Sequence, residues 1–254
     1  MISVLLPCKS RIDLFPQAYG SLLVQMRDCD EDYEVIVVND NEFQSDTVGP
    51  ILDRLGVKYI YGPHKGSAFA FKCAADAASG DKLLFINDDM FFFQPFINPM
   101  LKAYDQGYFV VGAKLLYENM TIQHAGMEFL PQHGWMSNHC FRFQSENLPE
   151  ANVFKEMPCV TFSLTLVNER LFHNLEGFHP DFHGENYSDT DFCLRALEAG
   201  KKICYQPESA AIHYESATRG HNLDVNLKTF KTFQKKWVDT GRIQRLLKKR
   251  EFIV

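Results

Sequence analysis

The sequence predicts an α/β fold built on a mostly parallel central sheet flanked by helices. Three observations carry that expectation. Short apolar runs alternate with helical patterns as β-α-β-α-β-α-β over the first ninety residues, the pattern of a parallel sheet with helices on both faces. Three of those runs end in polar loops, Lys9-Ser10-Arg11, Asn39-Asp40-Asn41 and Asn87-Asp88-Asp89, and in an open sheet ligands bind just beyond the carboxyl ends of the strands. The composition, 46% hydrophobic and 23% charged over 254 residues, suits a globular chain with a sizeable core.

Taken in order, residues 2–6 form an apolar strand stopped by Pro7, and a loop through Arg11 follows. Leu14, Phe15, Ala18, Leu22 and Leu23 recur at helical spacing, so 12–26 is an amphipathic helix. Residues 34–38 are a second strand, 46–55 a helix with Asp46 as N-cap candidate, and 57–61 a third strand. Gly62-Pro63-His64-Lys65-Gly66 is a turn, and an Ala-rich helix over 67–78 is closed by Gly80. The run 82–86 is a buried strand that ends in an amide and two carboxylates. In the second half, 109–112 and 115–117 read as strands, while 131–150, rich in His, Asn and Gln without periodicity, reads as a long loop. A strand over 160–167 leads into a helix over 168–174. Residues 188–199 form a helix with Phe192, Leu194, Ala196 and Leu197 apolar and Gly200 as its stop. Residues 202–205 and 210–213 are short strands. From about 226 the chain is basic and helical, with Phe230, Phe233 and Trp237 at i, i+3 and i+7.

Several function classes are disfavoured. A formal charge of −6 supplies no global basic field for nucleic acid. Seven scattered cysteines without a C-x-x-C pair argue against a disulfide framework or zinc ribbon and fit a reducing compartment. The start Met1-Ile2-Ser3-Val4 lacks a basic n-region, and no apolar run is long enough to span a bilayer, so a soluble, cytoplasmic chain is expected. Neither a G-x-G-x-x-G after the first strand nor a phosphate-binding G-x-x-x-x-G-K-[ST] is present.

Asp88 and Asp89 read in two ways. They are either solvated turn residues that cap the next element, or a pair of hard oxygen ligands whose mutual repulsion a cation relieves. Mg²⁺ or Mn²⁺ suits such ligands, usually shared with substrate phosphates.

Blocks in order along the chain resemble family 2 glycosyltransferases from Met1 to about His221: Val4-Leu5-Leu6-Pro7 with Arg11, Val37-Val38-Asn39-Asp40, Gly66 through Ala74, Asn87-Asp88-Asp89, Ser188-Asp189-Thr190-Asp191 with Arg195, and the loop from His213 to Gly220. Val111 to Tyr117 followed by Ile122-Gln123-His124-Ala125-Gly126 is similar to a bacterial cell-surface polysaccharide subgroup. The resemblance implies a GT-A-like (Rossmann-like) domain over 1–221, with a nucleotide-binding half, 1–90, and an acceptor-side half, 91–221. A basic amphipathic helical extension over 222–254 follows. It implies metal-dependent, inverting transfer of a sugar from a UDP-, dTDP- or GDP-sugar to a glycan or lipid-linked acceptor, with Mn²⁺ or Mg²⁺ as cofactor.

Carried over by position, Asp89 and His213 are the metal ligands. Pro7, Arg11, Asp40, Gly66, Lys72, Asn87 and Asp88 lie on the donor side. Asp189 is the catalytic base and Asp191, its rival, is assigned to the helix start. His124 and Trp135 fall on the acceptor side, with a satisfied structural role open for His124. Arg11 and Lys72 also read as solvated surface residues. The chain departs from the family pattern at Asn87, where Asp is usual, at Ser188, where Glu is usual, and at Lys72, where Asn is usual. Those departures leave open a non-catalytic nucleotide- or glycan-binding module. A sugar-phosphate nucleotidyltransferase would carry a Gly-rich basic loop after the first strand, which Pro7-Cys8-Lys9-Ser10-Arg11 is not. The basic extension either packs on the domain through Phe230, Phe233 and Trp237 or lies peripherally on the inner face of a membrane.

Overall fold

The computed structural model describes residues 1–8, 13–41, 46–182, 186–214 and 223–253, the side chains of 223–226 excepted. Arg11 and the loop from Glu215 to His221 lie outside the described residues. The first half is a β-α alternation. Strands β1 (Ile2–Cys8), β2 (Tyr33–Asn39), β3 (Tyr59–Tyr61) and β4 (Lys82–Ile86) run parallel in the order β4-β1-β2-β3. Helices α1 (Phe15–Gln25), α2 (Gly49–Arg54) and α3 (Ser67–Asp76) make the crossovers.

The second half adds β5 (Met90–Phe91), α4 (Ile97–Asp105), β6 (Tyr108–Leu116) and β7 (Ile122–His124). It continues with β8 (Met127–Leu130), β9 (Met136–His139), β10 (Lys155–Glu156), β11 (Leu164–Asn168) and α5 (Glu169–Asn174). Last come α6 (Ser188–Glu198), β12 (Lys202–His213), α7 (Leu223–Phe233) and α8 (Arg242–Lys249), with a π-helical turn at Gln234–Val238 between the final two. β11 is inserted antiparallel between β4 and β6, and β12 runs parallel to β6 on its far side. β1, β2, β4, β6 and β12 therefore all point their C-terminal ends at one edge.

Successive side chains of a strand face opposite sides, and strands covered on both faces are apolar throughout. β4 shows both effects: Leu83 and Phe85 enter the core on one face, Leu84 and Ile86 the core on the other. Around Phe85, the rings of Phe71, Phe162, Phe172 and Phe178 lie at centroid distances of 5.0–5.9 Å. The same core receives Phe233, Trp237, Ile243, Leu246 and Leu247 from the basic C-terminal segment, so its apolar stripe is packed on the domain.

Several boundaries differ from the sequence reading. β1 runs through Pro7 to Cys8; its ladder with β4 ends at Leu5↔Phe85, so the missing Pro7 donor falls beyond that ladder. Gly80 does not close α3, whose C-cap is Ala77; its reason is space, because a Cβ there would stand 2.6 Å from the Met1 carbonyl oxygen. Residues 108–116 are one strand, with Gly112 admitting Val160: a Cβ at 112 would meet Val160 Cβ at 2.5 Å. β12 is likewise one strand, and its irregularity between Gln206 and Ala210 absorbs Pro207, which has no N–H for the ladder. The stretch expected to be loop contains β9, paired antiparallel with β8 from Met127↔His139 to Leu130↔Met136.

Candidate active site

At the common edge, the ends of β1, β2 and β3 are tied together by backbone. Asp40 N–H donates to the Cys8 carbonyl (2.8 Å) and Gly62 N–H to that of Asn39 (2.8 Å). The Asp40 carboxylate is buried and accepts from His64 N–H (2.8 Å). Glycine is needed at 62, where a Cβ would come within 2.6 Å of Asp40 Oδ1. α2 starts later than expected, with Val48 rather than Asp46 at its N-cap; Asp46, two residues earlier, accepts from the N–H groups of Val48 (2.9 Å) and Gly49 (2.8 Å). It also accepts from Asn39 Nδ2 (2.9 Å) and the Tyr61 hydroxyl (3.1 Å). Burial alone would raise its carboxyl, but these donors outweigh it and hold Asp46 below the usual carboxylate range. Gly66, at φ +102°, turns the chain into α3, a conformation glycine adopts without penalty.

The end of β4 meets the end of β12. His213 pairs with Met90 in the β5–β12 ladder, and Tyr214 N–H donates to the Asp89 carbonyl (3.0 Å). This brings Asp89 Oδ1 to 3.1 Å from His213 Nε2, with both side chains buried. Gln123 decides the imidazole's tautomer. Its Nε2 donates to the His213 carbonyl (3.0 Å), so its Oε1, 2.6 Å from His213 Nδ1, must accept. Nδ1 therefore carries a proton, and Nε2 is the nitrogen beside the Asp89 carboxylate. Asn87 Nδ2 stands 3.2 Å from the same nitrogen and donates to Ser163 Oγ (3.2 Å). Asp88 is half-buried beside Cys8; burial pushes the Cys8 thiol up, and the Asp88 charge and hydrogen bond add to it.

An imidazole nitrogen and a carboxylate oxygen 3.1 Å apart are held together by a proton or a cation between them. Two cis ligands of an octahedral ion with bonds of about 2.1 Å stand about 3.0 Å apart, so the pair fits Mg²⁺ or Mn²⁺. Among the described residues no three His, Cys, Asp or Glu side chains gather as a complete metal site. Such ions usually take one or two protein ligands and the rest from water and substrate phosphates. Gln123 is the residue whose role the sequence did not disclose; its place two residues before Ala125 carries no local mark of a contact ninety residues away.

The two acids of α6 separate cleanly. Asp191 is fully buried, accepts from Arg195 Nε (2.7 Å) and Trp237 Nε1 (2.8 Å) and is ion-paired with Lys236 Nζ (2.9 Å), a structural knot between α6 and the C-terminal π-turn. Asp189 is half-buried, and its Oδ1 accepts from the N–H of Thr190 (2.7 Å) in the first turn of α6. Thr190 reaches Ser137 of β9 (3.3 Å), which sets that turn against the β8–β9 hairpin. Tyr187, immediately before the helix, sits at φ +74° and is held by its stack on Phe233 (4.8 Å) and Phe230 (5.7 Å) of α7.

Other candidates fall elsewhere. Pro7 remains in β1 at the site edge. Lys72 points down α3 into an exposed i,i+4 ion pair with Asp76 (2.8 Å), so the structure does not bring its ammonium to the Asp88–Asp89 cluster. Trp135, at φ +62°, is half-buried and packs against the core. His124 is fully buried, its Nδ1 3.1 Å from His139 Nδ1, and burial holds it well below the usual histidine range, with His139 and His213 adding to the effect. Closed off from solvent, His124 supports the structural alternative rather than direct acceptor contact.

The family model described as "Glycosyl transferase family 2" matches residues 3–172. An O-antigen biosynthesis protein, RfbC, of Myxococcus xanthus is 29% identical over 232 residues, which are 86% of this chain and 18% of that protein. An uncharacterized protein, y4gI, of Sinorhizobium fredii is 27% identical over 236 residues, 87% of this chain and 25% of that protein. The chain thus spans no more than a quarter of the length of these curated relatives. Among solved structures, GalNAc-T7 with UDP, GalNAc and Mn²⁺ superposes with a TM-score of 0.64 at 12% identity, over 84% of this chain and 43% of that one. The mannosyltransferase PcManGT of Pyrobaculum calidifontis, in complex with GDP-Man and Mn²⁺, gives 0.57 at 14% identity, over 85% and 57%. At these identities the superpositions show the GT-A fold.

Proposed function

The chain belongs to glycosyl transferase family 2 and is a glycosyltransferase, and from that premise we propose metal-dependent, inverting transfer of a sugar from a nucleoside-diphosphate donor to a hydroxyl of a glycan or lipid-linked acceptor. The observation that carries this reading is the Asp89–His213 pair, with Gln123 fixing the imidazole through Nδ1. Asp89 and His213 would hold Mn²⁺ or Mg²⁺. When bound, such an ion stabilises charge that develops on a leaving diphosphate. In this reading Asp40, at the end of β2, accepts from the N–H of a uracil or thymine base, and Asn87 and Asp88 contact the ribose. Asp189 takes the proton of the attacking acceptor hydroxyl. Asp191 is left out of the chemistry because it is fully buried and committed to Arg195, Lys236 and Trp237.

The likeness to an O-antigen biosynthesis protein supports surface-polysaccharide assembly as the setting. Among the described residues no helix is long and apolar enough to cross a membrane. Residues 227–254 carry nine Lys and Arg against Asp239 and Glu251; with Lys236 paired to Asp191 and Arg242 to Glu198, the other seven support peripheral contact with an anionic inner membrane face.

Calorimetric titration with UDP, dTDP and GDP, each with and without Mn²⁺, tests the donor site on wild type and Asp89→Ala. Metal-dependent binding of one nucleotide, abolished by the substitution, is expected. No binding of any of the three in the presence of metal would overturn the reading.

A further inference from the structure

We propose that the cavity between the C-terminal end of α6 and α8 binds a phosphate or diphosphate group, at a site separate from the sugar-donor site. The cavity, of about 410 Å³, is lined by Arg242, Arg245, Lys249 and Arg250 against one acid, Glu198. Arg242, Arg245, Leu246 and Lys249 fall at i, i+3, i+4 and i+7 of α8, so they share one stripe of the helix. Like charges on one stripe oppose helix formation unless an anion lies among them. Leu197 and Leu246, both buried, belong to the same lining. A cleft lined by one sign of charge over low-dielectric walls concentrates the opposite ion.

The four cations divide into two kinds. Arg242 and Arg250 fasten α8 to α6. Arg242 donates to Glu198 through Nε (3.0 Å) and Nη2 (2.5 Å), and its guanidinium stands 4.1 Å from the centre of the Trp237 ring. Arg250 Nη2 donates to the carbonyls of Leu197 (2.8 Å) and Lys201 (3.1 Å). Arg245 and Lys249 are ion-paired with no carboxylate among the described residues. Arg245 is nonetheless held: its Nη2 donates to the Thr240 carbonyl (3.1 Å). Gly241, at φ +65°, leaves room for its guanidinium, since a Cβ there would stand 2.9 Å from Arg245 Nη1. The planar donor fork of Arg245 suits two phosphate oxygens, and the Lys249 ammonium adds a point charge.

Position separates this site from the candidate active site. α6 starts beside Asp189 and ends at the cavity, and β12 then runs back over 12 residues from Lys202 to His213. At about 3.3 Å per residue, the start of β12 lies roughly 35 Å from His213. The cavity therefore sits at the sheet edge opposite Asp89 and His213, and a sugar donor held at that pair does not reach it. Its occupant is a second, phosphate-bearing molecule. The same chemistry is offered by a phosphomonoester lipid headgroup and by a soluble diphosphate. Lys228 and Lys231, on α7, are exposed cations of the same basic segment outside the cavity lining, which makes them a charge-matched control.

Two probes test the site: calorimetric titration with inorganic pyrophosphate in EDTA, and co-sedimentation with phosphatidylcholine vesicles with and without phosphatidic acid. Both are applied to wild type, Arg245→Gln/Lys249→Gln, Lys228→Gln/Lys231→Gln and Asp89→Ala, each verified as folded by circular dichroism. Wild type is expected to bind at least one probe. Pyrophosphate alone assigns a soluble ligand, and vesicles that bind only with phosphatidic acid assign a lipid headgroup. The Arg245/Lys249 variant should weaken that binding by about ten-fold or more, and the Lys228/Lys231 variant by less than about three-fold. Asp89→Ala should bind as wild type does while losing metal-dependent nucleotide binding, so failure of the donor site and failure of this site give different patterns. No binding of either probe by wild type, or equal weakening by the two double variants, would overturn the proposal.

Discussion

Asp191→Ala removes the carboxylate shared by Arg195, Lys236 and Trp237, and its cost follows from their burial. Arg195 and Lys236 keep only 13% and 19% of their side-chain surface, so neither cation regains full hydration when its partner goes. Breaking a buried ion pair from one side costs about 3–5 kcal/mol, because the remaining charge is stranded. The Trp237 N–H loses its acceptor as well, but that contribution is not additive with the first. Arg195 still donates to the carbonyls of Leu175 (2.7 Å) and Gly177 (2.8 Å), which tempers the loss toward the lower figure. Against a total stability of about 5–15 kcal/mol, this is a large fraction, equivalent to a melting temperature lower by about 6–20 °C. Urea unfolding followed by circular dichroism measures it, since Trp237 fluorescence would itself respond to the change. The companion Asp191→Ala/Lys236→Met deletes one stranded cation and should recover about 1–3 kcal/mol. A single-variant loss below about 1 kcal/mol, or strict additivity of the two changes, would refute the description of Asp191 as a charge-satisfied knot and reopen its candidacy as a base.

Three further outcomes are expected. Asp189→Asn, at a half-buried position whose carboxylate accepts within its own helical turn, should change stability by no more than about 1 kcal/mol while abolishing sugar transfer and sparing nucleotide binding; an active variant would exclude Asp189 as the base. Gln123→Leu removes the acceptor for His213 Nδ1 and should weaken Mn²⁺-dependent nucleotide binding by about 10–100-fold, read by the same calorimetry. His124 stays neutral when folded but protonates in the unfolded chain below its ordinary value of 6.5, so the unfolded state gains the extra proton. Stability should therefore fall as pH drops below 6.5, by up to about 1.4 kcal/mol per pH unit from this residue, and urea midpoints across pH 7 to 5 should show a shallower slope in His124→Gln.

What the sequence discloses here is what depends on near neighbours. The run Leu83-Leu84-Phe85-Ile86 announces a strand covered on both faces, and both cores receive it. Asn87-Asp88-Asp89 announces a strand end, and Asp46 announces a turn that accepts from the first N–H of α2, although the N-cap itself is Val48. Periodicity reports which face of an element is apolar but not which element will lie beside it. The insertion of β11 between β4 and β6, the grip of Gln123 on His213 and the meeting of Asp191 with Lys236 join residues 45 to 90 positions apart. The β8–β9 pairing was hidden for another reason: Met136, Ser137, Asn138 and His139 lack the alternation that a half-buried strand shows, since none of the four is fully buried.

The placement of β11 has a consequence for how the chain reaches its folded state. While the protein is being made, β4 finds β1 at once, but the opposite edge of β4 has no strand to pair with until residues 164–168 are synthesised. An apolar edge left open is a template for pairing with another chain. β6, made earlier than β11, has no place beside β4 in the finished sheet, although both strands point the same way. β11 therefore acts as a spacer that must arrive before the two halves join, and a variant that weakens β11, such as Leu166→Pro, should appear first as insoluble protein rather than as a soluble enzyme of lower activity.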